Sequence, residues 1–402
     1  MRRLRTLPTS RLIAIVAAVV ALAATAAVAQ AALSSDPKPA PEGLDRAILD
    51  AVNAPQVAGV TARISFTNAL IPSGALPNGS ATPLLTGAKG RVWVARDGRF
   101  HLELQSDRGD AQIASDGKTL TVYDASAKTV YRAALPRDKA SASSTAHEQP
   151  ATLAGIRRGL RQLARTWTLS GARATSTAHR ASYTVRISPK DDGGLLGAGE
   201  LAWDASKGVP LRAAVYAQGQ SKPVLELKAT DISFGAVGNG DLIVSVPPGV
   251  KTVDVAPPAG HGAATAKRGK KADVSGVSAV QKRVGFQLSA PARLAGLPRK
   301  EVRLVRFGEQ TGALSIYGQG FGGIAVFQRK LESSSAAPSA PAGGTRNRDQ
   351  IQLPQINIDG ATGTELATAL GTMVQFERGG IEYTVLGSVP PVAAENAARG
   401  LR

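Results

Sequence analysis

Residues 90–134 carry the most regular alternation of apolar and polar positions in the chain. Phe100, Leu102 and Leu104 share one face of a predicted strand. The polar positions on the other face are His101, Glu103 and Gln105. Asp-Gly pairs at 97–98 and 116–117 separate alternating segments, a pattern typical of β-hairpins. We therefore predict a meander of antiparallel strands whose apolar face needs a cover or a ligand.

Short strands and turn residues extend this predicted β-rich domain over residues 43–255. Two amphipathic helices are predicted in it, at 43–53 and 153–163, and the second carries Arg157, Arg158 and Arg161 on its polar side. The other strands are predicted at 60–68, 167–169, 183–187, 197–203, 210–215, 224–227, 231–234 and 250–255. The polar stretch at 136–149 predicts a loop, and the Pro, Gly and Lys-rich tract at 256–276 predicts an interdomain linker.

A second, smaller α+β domain is predicted over residues 277–402. The Ser, Ala and Pro-rich insert at 333–348 is predicted to be disordered. The regular elements predicted around it are strands at 301–307, 313–317 and 324–329, a helix at 364–370, a hairpin turning at Gly379-Gly380, and a terminal helix at 391–401. Together the two domains predict a mainly β fold of the α+β type.

Gly318, Gly320 and Gly323 form the G-x-G-x-x-G spacing of dinucleotide-binding proteins. That motif binds a pyrophosphate only where a strand precedes the glycines and a helix follows them. Here both flanking segments, 313–317 and 324–327, have the composition of strands. We therefore interpret these glycines as a hairpin connection in which they permit positive φ angles.

The first 31 residues have the form of an export signal. Four arginines precede an apolar run at 12–28, and small residues at 27–31 fit a cleavage site. An uncleaved N-terminal anchor is the alternative, because the run borders on transmembrane length. In both cases we expect the rest of the chain to work outside the cytoplasm, as a periplasmic, secreted or tethered protein. The chain contains no cysteine, so packing alone must stabilise it and thiolate chemistry is excluded.

The chain is basic, with 48 Lys and Arg against 30 Asp and Glu; without the four N-terminal arginines the balance is 44 to 30, or +14. For an exported protein this charge favours anionic lipid headgroups or envelope polymers over nucleic acid as partners, or serves only solubility.

The four histidines lie in separate segments without metal-ligand spacing, and no G-x-S-x-G or P-loop sequence occurs. We therefore predict a protein that is not an enzyme and has no catalytic residues, metal or cofactor.

Several stretches of the first domain resemble, in their order, one bacterial family. They are GRVWVARDGRFHLEL, IASDGKTLTVYDASAKTVYRAAL, GELAWDASKGVPLRAAV, LKATDISFG and VSVPPGVKTVDV. Over about residues 43–255 they resemble the outer-membrane lipoprotein carriers (LolA-like) and the related sigma-factor regulators (RseB-like). The C-terminal stretch VQFERGGIEYTVLGSVPPVAAENAARGL resembles a small domain of Gram-positive exported carriers and anti-sigma-factor-like proteins.

This resemblance implies an open, curved antiparallel β-barrel with helices as a lid and an apolar interior that holds acyl chains. The residues that it places on the inner wall are Val92, Val94, Phe100, Leu102, Leu104, Leu201 and Trp203. The two predicted helices, at 43–53 and 153–163, would form the lid. No arginine that would lock such a lid is recognisable in the sequence.

Two interpretations of the apolar face are open from the residue pattern alone: an ordinary sandwich core, or an unclosed sheet that leaves room for acyl chains. The resemblance favours the second. We therefore predict noncovalent binding, and with it transport, of lipid or lipoprotein acyl chains in the cell envelope, with the membrane surface or an envelope protein as further partners. The alternative is an extracytoplasmic sensor or anti-sigma-type regulator that binds a protein.

Overall fold

A computed structural model describes residues 36–72, 82–107, 109–135, 152–190, 194–255, 274–307, 310–331 and 353–401. The predicted export signal, the loop at 136–149 and the insert at 333–348 lie outside these residues, as does most of the predicted linker. The first thirteen strands are β1 (Gly59–Asn68), β2 (Ala88–Ala95), β3 (Phe100–Ser106), β4 (Gly109–Ser115), β5 (Thr119–Asp124), β6 (Thr129–Ala134), β7 (Trp167–Leu169), β8 (Arg173–Thr177), β9 (Arg180–Pro189), β10 (Leu196–Asp204), β11 (Pro210–Ala217), β12 (Leu225–Phe234) and β13 (Lys251–Val255). The helices among them are α1 (Leu44–Val52), α2 (Pro83–Thr86) and α3 (Leu153–Leu163).

The meander predicted from the alternating pattern is confirmed, because β2 to β6 pair in sequence as antiparallel neighbours. Gly98 and Gly117 both have φ of +84°, which the tight connections after Asp97 and Asp116 require. Asp116 Oδ1 accepts hydrogen bonds from the backbone N–H groups of Lys118 and Thr119, at 2.8 and 2.6 Å. These bonds lower the pKa of the Asp116 carboxyl and hold the turn.

All thirteen strands form one sheet, here called the N-terminal sheet. Its order is β13-β6-β5-β4-β3-β2-β1-β12-β11-β10-β9-β7, with β8 paired to β9. Its pairs are antiparallel except at one edge, where β13 runs parallel to β6. Residues 224–227 and 231–234, predicted as two strands, form the single strand β12, because a bulge opposite Arg63 and Ile64 absorbs the irregular spacing.

The sheet curls around its apolar side. Leu104 is 2% exposed and packs in a cluster with Ile64, Ala111 and, from α2, Leu84. The tip of the β8–β9 hairpin, at the far end of the strand order, brings Ala178 into contact with this same cluster. A hairpin at one end of the strand order reaches these central strands only if the sheet curls toward its apolar face. The predicted mainly β fold, an open curved sheet with helices over it, is confirmed.

The outer face is not uniformly polar, which corrects the prediction that His101 lies on a solvated side. His101 is 4% exposed and its ring stacks on Trp93 with centroids 5.3 Å apart. His101 Nδ1 donates to the carbonyl oxygen of Asp241 at 2.8 Å. The segment after β12 therefore crosses this face on its way to β13, and it covers a side chain whose strand position alone indicates exposure.

The C-terminal sheet has eight strands in the described residues. They are β14 (Arg293–Leu294), β15 (Leu297–Phe307), β16 (Gln310–Tyr317), β17 (Ile324–Lys330), β18 (Gln355–Ile358), β19 (Ala361–Thr368), β20 (Gly371–Arg378) and β21 (Ile381–Gly387), in the order β14-β15-β16-β17-β21-β20-β19-β18. Helices α4 (Val277–Gln281) and α5 (Pro391–Arg399) pack on the same side, since Ala313 and Tyr317 of β16 contact their respective clusters. The G-x-G-x-x-G glycines connect β16 to β17 as an antiparallel hairpin, which confirms that interpretation.

The helix predicted at 364–370 is wrong. Those residues belong mostly to β19, which pairs with β18 on one side and β20 on the other. The spacing of Leu366 and Leu370 fits a helix, but β-branched threonines at 362, 364 and 368 suit a strand, and pairing with β20 decides the outcome.

The two sheets touch at the end of the N-terminal sheet where β1 finishes and β10 begins. Ala369 N donates to Leu70 O at 2.7 Å, and Leu195 N donates to Ser388 O at 3.0 Å. Trp167 and Phe321 meet edge to face with ring centroids 5.6 Å apart. Gly194, with φ of +61°, allows the second contact, because a Cβ there would lie 2.0 Å from Ser388 O.

The same leucine-to-alanine substitution at two positions of the concave face should lower the free energy of unfolding by different amounts. Leu104→Ala removes a side chain that is 2% exposed and should lower the free energy of unfolding by about 3 kcal/mol. Leu201→Ala truncates a side chain that is 42% exposed and should cost less than about 1 kcal/mol. Urea unfolding followed by circular dichroism measures both. An equal loss in the two variants would mean that Leu201 is packed rather than accessible.

Candidate functional site

The seven residues predicted on the inner wall lie on one face of the N-terminal sheet. Val92 pairs with Leu102 and Val94 with Phe100, so these four share a face. Leu104 and Trp203 continue that face on β3 and β10, because alternate residues of a strand point the same way. Cross-strand pairs show that β2 and β10 present these residues on the same face. Val94 of β2 pairs with Val60 of β1, and the pairing continues through β12 and β11 to Leu201 of β10. Their contact with lipid stays a prediction.

Helices cover the two ends of this concave face. At one end α2 lies over β1, β3 and β4 and buries Leu104. At the other end α1 packs Ala47 against Tyr183 and Trp203, and Trp203 is 5% exposed. Helix α2 was not predicted, although Pro83 at its first turn is a helix-start signal. Of the predicted residues, Val92, Leu102 and Leu104 belong to the first cluster and Trp203 to the second.

Between the two covers, an apolar row crosses six strands. Its members are Val185, Leu201, Ala213, Leu227, Phe66 and Ala88, each paired directly with the next. Three adjacent members, Leu201, Ala213 and Leu227, are exposed, and Leu201 and Leu227 are 42% and 44% exposed. We call this group the apolar row. An exposed leucine alone is ordinary, but three adjacent exposed apolar residues on the concave wall of a sheet form a surface for an apolar ligand.

An ion pair fixes the tip of the β8–β9 hairpin. The guanidinium of Arg180 donates to the carboxylate of Asp204 and stacks over the ring of Phe234 at 4.9 Å. Burial would raise the pKa of Asp204, but hydrogen bonds from Arg180 and Ser206 outweigh it and lower that pKa. The hairpin tip next to Arg180 needs left-handed backbone at Ala178 and His179, with φ of +53° and +56°. The ion pair compensates part of that cost.

Behind Leu201, on the outer face, Glu200 is the centre of a charge network. Its Oε2 accepts from Arg212 at 2.7 Å and from the Tyr216 hydroxyl at 2.8 Å. Its Oε1 accepts from Arg173 and Arg186, each at 3.1 Å. Burial opposes ionisation of Glu200, but these bonds prevail and lower its pKa to about 2. The network joins β8 to β11 and stiffens the strands that carry the apolar row.

Helix α3 lies mainly against α1. Arg157 of α3 donates to Asp45 of α1 at 2.6 Å, and this bond lowers the pKa of Asp45. Sequence analysis assigned Arg157 to the solvated side and recognised no arginine that closes the lid. The partner is 112 residues away in sequence, so no local pattern could have indicated it.

Within the described residues, no three His, Asp or Glu side chains are close enough to hold a metal ion, and no helix is long and apolar enough to cross a membrane.

A family model described as "Predicted periplasmic protein (DUF2092)" matches residues 77–152. That description confirms the predicted location outside the cytoplasm. No curated protein matches the chain.

Solved structures similar to this chain include the MucA/MucB complex of Pseudomonas aeruginosa, at 16% identity over 89% of this chain and 96% of that chain, with a TM-score of 0.40. A LolA superfamily protein from Nitrosomonas europaea is 12% identical over 50% of this chain and 98% of its own, with a TM-score of 0.21. A putative outer membrane lipoprotein-sorting protein domain from Vibrio parahaemolyticus is 10% identical over 50% and 95%, with a TM-score of 0.22.

Glu200→Gln should destabilise the protein at neutral pH and matter less in acid. The pKa of Glu200 is depressed in the folded state, so its stabilisation is present above the unfolded pKa of about 4.5 and is lost as pH falls toward about 2. We expect a loss of the order of 3 kcal/mol in the free energy of unfolding at pH 7. Denaturant unfolding of both proteins from pH 7 to 2.5 measures the difference. Glu377→Gln, at an exposed site on β20, is the control. A difference that stays constant with pH would contradict this role.

Proposed function

We propose that the N-terminal domain binds an acyl chain of a lipid or lipoprotein noncovalently on its concave face. The observation that carries the proposal is the apolar row, in which three adjacent residues, Leu201, Ala213 and Leu227, are exposed between two helical covers. A protein that needed this face only as a core would bury those positions. The fold similarity to lipoprotein-carrier and MucB-type proteins allows both a lipid and a protein ligand, and the exposed row favours the lipid.

Apolar contact alone is enough for useful affinity. Each methylene that leaves water contributes about 0.8 kcal/mol, so ten buried methylenes give about 8 kcal/mol before the entropy cost of association. Transfer of the acyl chain from water into a bilayer gives a comparable free energy. The site must therefore exchange its ligand with membranes or other proteins rather than hold it permanently, as a carrier does. No catalytic group is required for this exchange.

The second candidate is a regulator that binds a protein. The feature that favours it is the face of the C-terminal sheet opposite its helices. Leu386 there is 47% exposed, and a cavity of about 230 Å³ is lined by Phe327, Arg329, Glu382 and Thr384 among others. A mixed apolar and charged surface of this kind suits a polypeptide better than an acyl chain. The MucB of the solved complex binds the protein MucA, as its name states.

Brominated fatty acids should quench Trp203 and leave Trp93 unaffected. Trp203 lies on the concave face under α1, whereas Trp93 lies on the outer face against His101. Two single-tryptophan proteins test this: one keeps Trp203 (Trp93→Phe, Trp167→Phe) and the other keeps Trp93 (Trp167→Phe, Trp203→Phe). Both must first retain binding of a fluorescent fatty acid. Equal quenching, or quenching of Trp93 alone, would mean that the fatty acid binds away from the concave face, and the proposal would lose its basis.

Leu201→Asp should weaken fatty-acid binding by at least tenfold, because a carboxylate in the apolar row must be desolvated beside the chain. Its stability should change little, since the position is 42% exposed. Leu386→Asp makes the same change at a similarly exposed leucine of the C-terminal sheet. Isothermal titration with a fatty acid should show a loss only for Leu201→Asp. A loss of fatty-acid binding in Leu386→Asp alone would transfer the lipid site to the C-terminal sheet.

A further inference from the structure

Helix α3 combines two surfaces that the acyl-chain site does not use. Its apolar residues, Leu153, Ile156, Leu160 and Leu163, recur at helical spacing along one side. On one flank of that side lie the basic residues Arg157, Arg158, Arg161 and, just after the helix, Arg165. The helix contains no acidic residue. It is therefore strongly amphipathic but low in net hydrophobicity, the combination found in helices that lie in the interface of a membrane.

The attachment of α3 to the rest of the protein is slight. None of its residues is buried, and Leu163 is 39% exposed. It packs on α1, where Arg157 bonds to Asp45 in a pair of which the arginine is 56% exposed. In the part of the chain that the structure describes, no carboxylate lies within ion-pair distance of Arg158, Arg161 or Arg165. Both the apolar edge and three cations are available to a partner.

We propose that α3 is a docking element for an anionic membrane surface. Its arginines would meet lipid phosphates while Leu160 and Leu163 enter the boundary between headgroups and acyl chains. The helix is about 16 Å long, which suits a segment lying flat on the surface. The net charge of +14 beyond the first 31 residues adds long-range attraction to the same surface. An acidic polypeptide would satisfy the arginines but would leave the leucines uncovered.

Docking competes with closure of the lid, because Asp45 and a lipid phosphate are alternative acceptors for Arg157. Contact with an anionic bilayer therefore loosens the α1–α3 contact. Since α1 lies over Trp203, membrane contact uncovers one end of the concave face. The docking itself does not depend on acyl-chain binding.

The first test measures vesicle binding by the chain from residue 32 to 402. It uses sedimentation with vesicles of 30% phosphatidylglycerol in phosphatidylcholine, or of phosphatidylcholine alone. Arg158→Gln with Arg161→Gln should lower the partition coefficient for anionic vesicles by ten- to thirtyfold. Lys282→Gln with Arg283→Gln makes the same charge change at two exposed residues beside α4 and should change it less than twofold. Equal losses for the two pairs, equal binding to both vesicles, or no binding would overturn the proposal.

The second test examines competition by Asp45. Asp45→Asn frees Arg157 and should raise the partition coefficient by at least threefold. Asp50→Asn changes the net charge equally on the same helix, but Asp50 bonds to Arg46 instead of α3. It should have a smaller effect than Asp45→Asn. If both variants gain equally, general charge rather than the α1–α3 contact controls docking, and the coupling to the lid is wrong.

The third test reports insertion directly. Because the chain has no cysteine, Leu163→Cys can carry a single environment-sensitive fluorophore. Its emission should shift to the blue on anionic vesicles, whereas the same label at Lys282→Cys should not shift. Leu201→Asp should still bind vesicles. Loss of vesicle binding in Leu201→Asp would mean that the vesicle is only a source of acyl chains, which contradicts docking by α3. If the protein binds vesicles but fatty acids do not quench Trp203, only the acyl-chain proposal is contradicted.

Discussion

The curl of the N-terminal sheet around one apolar face is the constraint on which the rest of the structure depends. A sheet of this width buries its apolar side only by closing on itself or by receiving a cover. Here the closure is partial: α1 and α2 cover the two ends, and the β8–β9 hairpin tip reaches across to the cluster around Leu104. The apolar row remains between these covers. The proposed ligand site is therefore the part of the core that the chain leaves uncovered.

The two faces of the same strands have opposite chemistry. Glu200 and Leu201 are neighbours in sequence, yet one is held by three arginines on the outer side and the other is exposed on the concave side. Cross-strand ionic bonds resist bending and sliding of β8 to β11. They keep the wall in shape whether or not anything lies against it. Such preorganisation lowers the cost of binding, because the protein need not order itself around its ligand.

Much of the N-terminal fold was predictable from local signals. The Asp-Gly turns and strict alternation of residues 90–134 defined β2 to β6, whereas the seven inner-wall residues came from the family resemblance, and their contact with lipid stays a prediction. Where prediction failed, a distant partner decided. His101 is buried by the segment around Asp241, residues 364–368 extend β19 through pairing with β20, and Arg157 bonds to Asp45 across more than a hundred residues. Neither spacing nor propensity contains that information.

The edge strands of both sheets are short. β7 has three residues, β14 has two, β18 has four and β13 has five. β13 joins β6 in parallel, with Lys251 opposite Thr129, so about 120 residues must be synthesised and placed before that border is complete. Until then the unpaired hydrogen-bonding groups of β6 offer a template for another chain. An exported protein without disulfides is thus most prone to aggregate while it folds, and a truncation before residue 251 would make that transient hazard permanent.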